Sequence, residues 1–349
     1  MPDTMNSVER TLKAIRHEQP DRVPVSLNDF MLAAKRMQSD SFGDYFRDGE
    51  AMAEGQLASW RRFGHDVIIL ENGTAALAQA CGVSVVYPSD TAPVATDPAI
   101  RSLDEVERLV VPDPHKDPIL VQLLKSTRIV VKETGGKAFV MGRADQGPFS
   151  LACEIRGMEA FMMDLASAAS DEDLDKIHRL LDFCRQVVTR YAFAQLEQGA
   201  HCTSIGESAS GPDVLSPRFY RKFAWPYVKQ MAGELSASGG LLSYHICGNA
   251  TAIVADMAAT GAAMIEIDQK ADQLKSKAAA ASATLVGPVD PNTVMASGTA
   301  AEVKEACRVA IHNLAPGGGF ILGPGCALPS TTPDANIDAM MEAARTYVY

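Results

Sequence analysis

The stretch 239–289, GGLLSYHICGNATAIVADMAATGAAMIEIDQKADQLKSKAAAASATLVGPV, decides the fold. Three short apolar runs (241–246, 264–267 and 284–286) alternate in it with two helical patterns (252–260 and 269–281). Short apolar runs bounded by turn residues read as buried strands, and strands alternating with helical patterns read as βαβ units of a parallel sheet. The rhythm continues outward in both directions. Upstream lie the runs 23–27, 67–70, 138–142 and 203–206, and downstream lies 320–322. Helical patterns fill the intervals at 7–17, 51–63, 119–133, 157–168, 171–197, 217–236, 300–314 and 333–346. Eight strands alternating with helices predict an α/β fold, a (β/α)8 TIM barrel with an N-terminal extension, in a single domain over 1–349. The segment 74–118, rich in Pro, Asp and Val, breaks the rhythm. It reads as a small excursion carrying a β element at 82–87, and no internal repeat accompanies it.

Composition narrows the class. Of 349 residues, 47% are hydrophobic and 21% charged, which suits a well-packed soluble protein. A formal net charge of −11 disfavours a nucleic acid as partner. No apolar run is long enough to span a membrane, and the polar residues 1–10 lack the apolar segment of a secretory signal. Seven scattered cysteines, an odd number, fit a reducing cytoplasm better than a disulfide framework.

In a TIM barrel the active site lies at the C-terminal ends of the strands. Those ends hold Asn28, Asp29, Glu71, Asn72, the segment 143–146, Glu207, His245, Cys247, Asp268, Asp290 and Cys326. His245 and Cys247 stand at i and i+2 in Tyr244-His245-Ile246-Cys247-Gly248-Asn249, so a strand would turn them to one face. Cys326 follows another apolar run, in Gly323-Pro324-Gly325-Cys326-Ala327-Leu328-Pro329. One imidazole and two thiolates make a three-ligand zinc site, the number that catalytic zinc uses. The alternative for any cysteine is a small core hydrophobe. Cys184 and Cys307, inside helical patterns, read that way, and Cys81, Cys153 and Cys202 have no histidine at ligand spacing on a strand. Glu207, in Gly206-Glu207-Ser208-Ala209-Ser210-Gly211, is the candidate fourth ligand and catalytic group, giving an oxygen at rest and leaving when substrate binds. Asn28, Glu71, Gln146, Asn249 and Asp290 are the substrate-binding candidates, with Met264 as a further lining residue.

Several segments carry a resemblance. They are Pro20-Asp21-Arg22-Val23-Pro24-Val25, Gln146-Gly147-Pro148-Phe149, Leu215-Ser216-Pro217-Arg218-Phe219-Tyr220, Trp225-Pro226-Tyr227 and Gly287-Pro288-Val289-Asp290-Pro291, together with the His-x-Cys and the distant cysteine. On these the chain resembles the uroporphyrinogen decarboxylase superfamily, in particular its zinc-dependent corrinoid methyltransferase branch of the methylcobamide:coenzyme M type. The resemblance implies zinc on His245, Cys247 and Cys326, and methyl transfer between a corrinoid and a small thiol activated as its thiolate. The reverse reading, demethylation of a small ether, thioether or amine onto Co(I), and a metal-free lyase remain as alternatives. Against the lyase, the stretch 21–29 lacks the Arg-Gln-Ala-Gly-Arg run that holds porphyrinogen carboxylates in the decarboxylases. The corrinoid is expected on a separate corrinoid-carrying protein. Asp113-Pro114-His115 is the one Asp-x-His here, and Pro118 occupies the place of the glycine that a corrinoid-binding motif needs. Oligomeric state is not legible.

Overall fold

A computed structural model describes residues 4–37, 41–71 and 73–346 of the chain. Asn72 lies outside them. Eight strands form one parallel sheet in sequence order: β1 (Ser26–Leu27), β2 (Val67–Leu70), β3 (Phe139–Gln146), β4 (Cys202–Gly206), β5 (Leu242–Ile246), β6 (Met264–Ile267), β7 (Thr284–Val289) and β8 (Phe320–Pro324). A parallel bridge between Val25 and Leu322 joins the last strand to the first, closing the (β/α)8 barrel. The excursion carries the expected β element as an antiparallel pair, Val85–Val86 with Val94–Ala95.

Helices fill the intervals: α1 (Ser7–Ile15), α2 (Gly49–Phe63), α3 (Leu120–Thr134), α4 (Pro148–Arg156), α5 (Asp171–Glu197), α6 (Trp225–Ala237), α7 (Ala300–Leu314) and α8 (Asp334–Thr346), with further helices between, Met158–Ser167 among them. Their ends follow local chemistry. Ser170 and Asp173 make a reciprocal capping box at the start of α5, and Thr299 and Glu302 make one on α7. The expected helix 217–236 is two helices, Pro217–Phe223 and α6, parted at Ala224 ahead of Pro226. Helix α4 was not expected, because its Gly147-Pro148 start reads as a turn. Proline in the first helical turn is tolerated, since its missing N–H would be unpaired there anyway.

The barrel interior is layered by the alternation of side chains along each strand. Val67, Ile69, Phe139, Met141, Cys202, Met264, Val286 and Ile321 form one buried cluster, closed at the N-terminal end by Ala14, Val8, Leu12 and Ile15 of α1. Counting on by two along the same rows gives Glu71, Arg143, Ser204 and Glu266, and the row through Leu241 and Ser243 reaches His245. The interior is therefore apolar at the bottom and polar at the mouth. Met264, expected as a lining residue of the pocket, belongs instead to the apolar layer and is fully buried. Beneath the barrel, Asp66 accepts from Arg10 Nη1 at 2.6 Å, Arg22 Nη1 at 2.7 Å and Val25 N at 2.9 Å, tying α1 and the β1 entry to β2.

Candidate metal centre at the barrel mouth

His245 is the penultimate residue of β5, and Cys247 follows the strand's end. Cys326 is the second residue past β8. Barrel closure brings these distant segments together. His245 Nε2 lies 3.0 Å from Cys247 Sγ, and Cys247 Sγ lies 3.7 Å from Cys326 Sγ. Among the described residues this trio is the group able to hold a metal ion, with all ligand atoms within 4.8 Å of one another. Tetrahedral zinc with ordinary bond lengths would separate two sulfurs by roughly 3.8 Å and a sulfur from a nitrogen by roughly 3.5 Å. The sulfur pair already has that spacing, and the imidazole has to recede by about half an ångström. The donor set fits zinc.

The tautomer is set from behind. His245 Nδ1 lies 3.2 Å from the Glu266 backbone carbonyl, which only accepts, so Nδ1 carries a proton and Nε2 is the nitrogen that faces the sulfurs. The two cysteines titrate together. The Cys326 S–H donates to Cys247, and with His245 alongside it draws Cys247 far down into the thiolate range, while Cys326 is driven up. Burial opposes charge on His245, but the Cys247 thiolate outweighs it and the net direction is up.

Gly248 shapes the turn after Cys247. Its φ is +82°, and a Cβ there would stand 2.2 Å from Asp213 Oδ2. Its N–H donates to Asp268 Oδ2 at 2.8 Å, anchoring the turn to the end of β6.

Glu207 does not join the trio, and here the expectation is corrected. Its carboxylate is fully buried and accepts from Phe149 N at 2.7 Å, Ser150 N at 2.9 Å and Ser150 Oγ at 2.8 Å. Both oxygens are spent on the first turn of α4, where unpaired N–H groups attract a carboxylate. Burial pushes its pKa up to about 7, against those hydrogen bonds. Two other expected residues also serve as local caps. The exposed Asn249 accepts from Thr251 N and Thr251 Oγ1, and Asp290 accepts from Asn292 N and Thr293 N. Asn28 ties the mouth together through its carbonyl, which accepts from Leu328 N at 2.7 Å beside Cys326, and its buried Oδ1 has no hydrogen-bond partner. Gln146 is half-buried at the end of β3.

Glu71 does lie at the centre. It is buried, with its pKa raised by burial despite Arg143, whose Nε stands 4.0 Å from Glu71 Oε2. Arg143, on the inward row of β3, leaves Nε and Nη1 without hydrogen-bond partners. Glu266 was missed. Its Oε1 accepts from Ser243 Oγ at 2.6 Å, and its Oε2 lies 4.0 Å from His245 Nδ1. The signal was available in Met264-Ile265-Glu266-Ile267, where a carboxylate occupies the inward row of an otherwise apolar strand.

Comparison with known proteins places these features among relatives. Residues 6–347 match the family described as Uroporphyrinogen decarboxylase (URO-D). The chain is 29% identical over 348 residues to the methylcobamide:CoM methyltransferase MtbA of Methanosarcina acetivorans, covering 98% of each. It is 26% identical over 353 residues to a uroporphyrinogen decarboxylase of Synechococcus, covering 99% of this chain and 94% of that one. A solved methyltransferase from Methanosarcina mazei superposes with a TM-score of 0.86 at 24% identity, over 97% of this chain and 98% of that one, and shares its fold.

Proposed function

The chain belongs to the uroporphyrinogen decarboxylase family, and we propose that within it the protein is a zinc-dependent methyltransferase acting between a corrinoid-carrying partner and a small thiol. One observation carries the reading: an imidazole nitrogen and two cysteine sulfurs within 4.8 Å of one another at the barrel mouth. A decarboxylation has no use for such a soft donor set, whereas thiol chemistry does. The likeness to methylcobamide:CoM methyltransferases over nearly the whole chain supports it.

Zinc held by His245, Cys247 and Cys326 would supply a Lewis acid that keeps a bound thiol deprotonated at neutral pH. The chain's own groups do the rest. His245, neutral and oriented by the Glu266 carbonyl, contributes no charge. Cys247 and Cys326, as thiolates, offset the two charges of the ion. Glu266 backs the imidazole, with its carbonyl and its Oε2 both on the Nδ1 side, while both oxygens of Glu207 are committed to α4. In the overall reaction a C–S bond forms to the methyl carbon and the Co–C bond breaks. The electron pair stays on cobalt as Co(I), and the thiol proton leaves to solvent. The reducing cytoplasm suits a centre whose cysteines are unpaired thiols.

The test is thiol-dependent loss of methylcobalamin with metal-loaded protein. The expected result is stoichiometric methyl thioether from wild type and none from Cys326→Ser. No thioether from any thiol, with Co(I) instead taking a methyl from an ether or amine donor, would reverse the proposed direction of flux.

A further inference from the structure

The Ser208 hydroxyl donates to Cys247 Sγ at 3.0 Å. The contact joins neighbouring strand ends, since Ser208 opens the short turn Ser208–Ser210 after β4 and Cys247 follows β5. That turn is pinned on its own account. Ser210 N and Oγ both donate to the Glu207 carbonyl, at 2.9 and 2.8 Å, and Gly211 N donates to the Ser208 carbonyl at 3.2 Å. Gly211 in turn lies against Cys247, where a Cβ would stand 3.2 Å from the Cys247 carbonyl and 2.9 Å from Ile246 Cγ2. The hydroxyl's approach to sulfur is therefore built into the backbone. Cys326 Sγ has Cys247 itself as its hydrogen-bond partner, so the sulfur of Cys247 is the one reached by a further, replaceable side chain.

We propose that Ser208 is a positioning residue of the metal centre, fixing the side chain of Cys247 and drawing charge from its sulfur. A hydrogen bond to a ligating thiolate lowers the energy of its lone pairs and weakens its donation. Cys247 thereby becomes the weaker of the two sulfur donors, and the cation keeps more of its Lewis acidity for the substrate sulfur. The inference rests on the metal reading above and deepens it.

The test uses full-length protein loaded with Co(II), whose sulfur-to-metal charge-transfer band reports thiolate donation without any turnover. Ser208→Ala is expected to move that band to lower energy and to lower zinc affinity about tenfold in competition with a chromophoric chelator, the scale set by other groups that orient metal ligands. Ser208→Thr, which keeps the hydroxyl, is expected to restore the wild-type band. A band identical in wild type and Ser208→Ala, both retaining a cooperative melt, would overturn the proposal. A wild type that takes up no cobalt would overturn the metal reading and this proposal with it.

Discussion

His245, Cys247 and Cys326 were legible because soft ligands are rare and these stand at strand ends with ligand spacing. Carboxylates are common, and the sequence alone gives a charge on a strand end the look of a solvated loop residue. That is why Glu207 was favoured and Glu266 passed over. The structure separates them by what each oxygen touches: backbone N–H groups for Glu207, the imidazole and Ser243 for Glu266. Cys247→Ser or Cys326→Ser is expected to cut bound zinc from about one per chain to a small fraction, without loss of the cooperative melt, as elemental analysis and calorimetry would read. Glu266→Gln is expected to retain zinc on the three donors while changing the Co(II) ligand-field spectrum through the imidazole it stands behind. An unchanged spectrum would remove Glu266 from the centre.

At the scale of elements, Glu207 joins β4 to α4, and its role is one of stability. Glu207→Ala leaves Phe149 N and Ser150 N buried without an acceptor, at a cost of about 2 kcal/mol or more in urea unfolding. Its titration gives a pH signature. The folded carboxyl holds its proton up to about 7, whereas the unfolded chain releases it near the ordinary value of 4.5. Between those values the native state binds the extra proton, so this group's contribution to stability declines as pH rises through that window. Wild type is therefore expected to lose stability relative to Glu207→Gln from about pH 5 to about pH 8, read as the difference in Tm. A difference independent of pH would contradict it. The turn after β5 is equally specific. Gly248→Ala forces a side chain onto a positive φ and into Asp213, and is expected to lower both Tm and zinc content.

Across the whole molecule, the strand and helix alternation sufficed for the barrel because each βα unit announces itself locally. Strands 67–70 and 264–267 stand residue for residue as expected. Strand β3 runs on to Gln146 through Arg143 and Asp145, polar residues that no hydrophobic pattern marks as strand. The particular contacts that close the barrel, the Val25–Leu322 bridge and the packing of α1 under the base, carry no such local mark. The Asp66 network holds that base. Asp66→Ala would remove the buried carboxylate that Arg10 and Arg22 share, at a cost of about 3 kcal/mol, visible as a lower urea midpoint. An unchanged midpoint would show that α1 is held by its apolar contacts alone.

The account stands on three donors at the mouth that leave a metal ion room for a substrate sulfur, and zinc-edge X-ray absorption with and without a thiol examines this directly. The account predicts two sulfur donors at rest, from Cys247 and Cys326, and three once thiol is added. Wild-type protein that retains no zinc after reconstitution, or whose zinc keeps the same sulfur count when thiol is present, would contradict it.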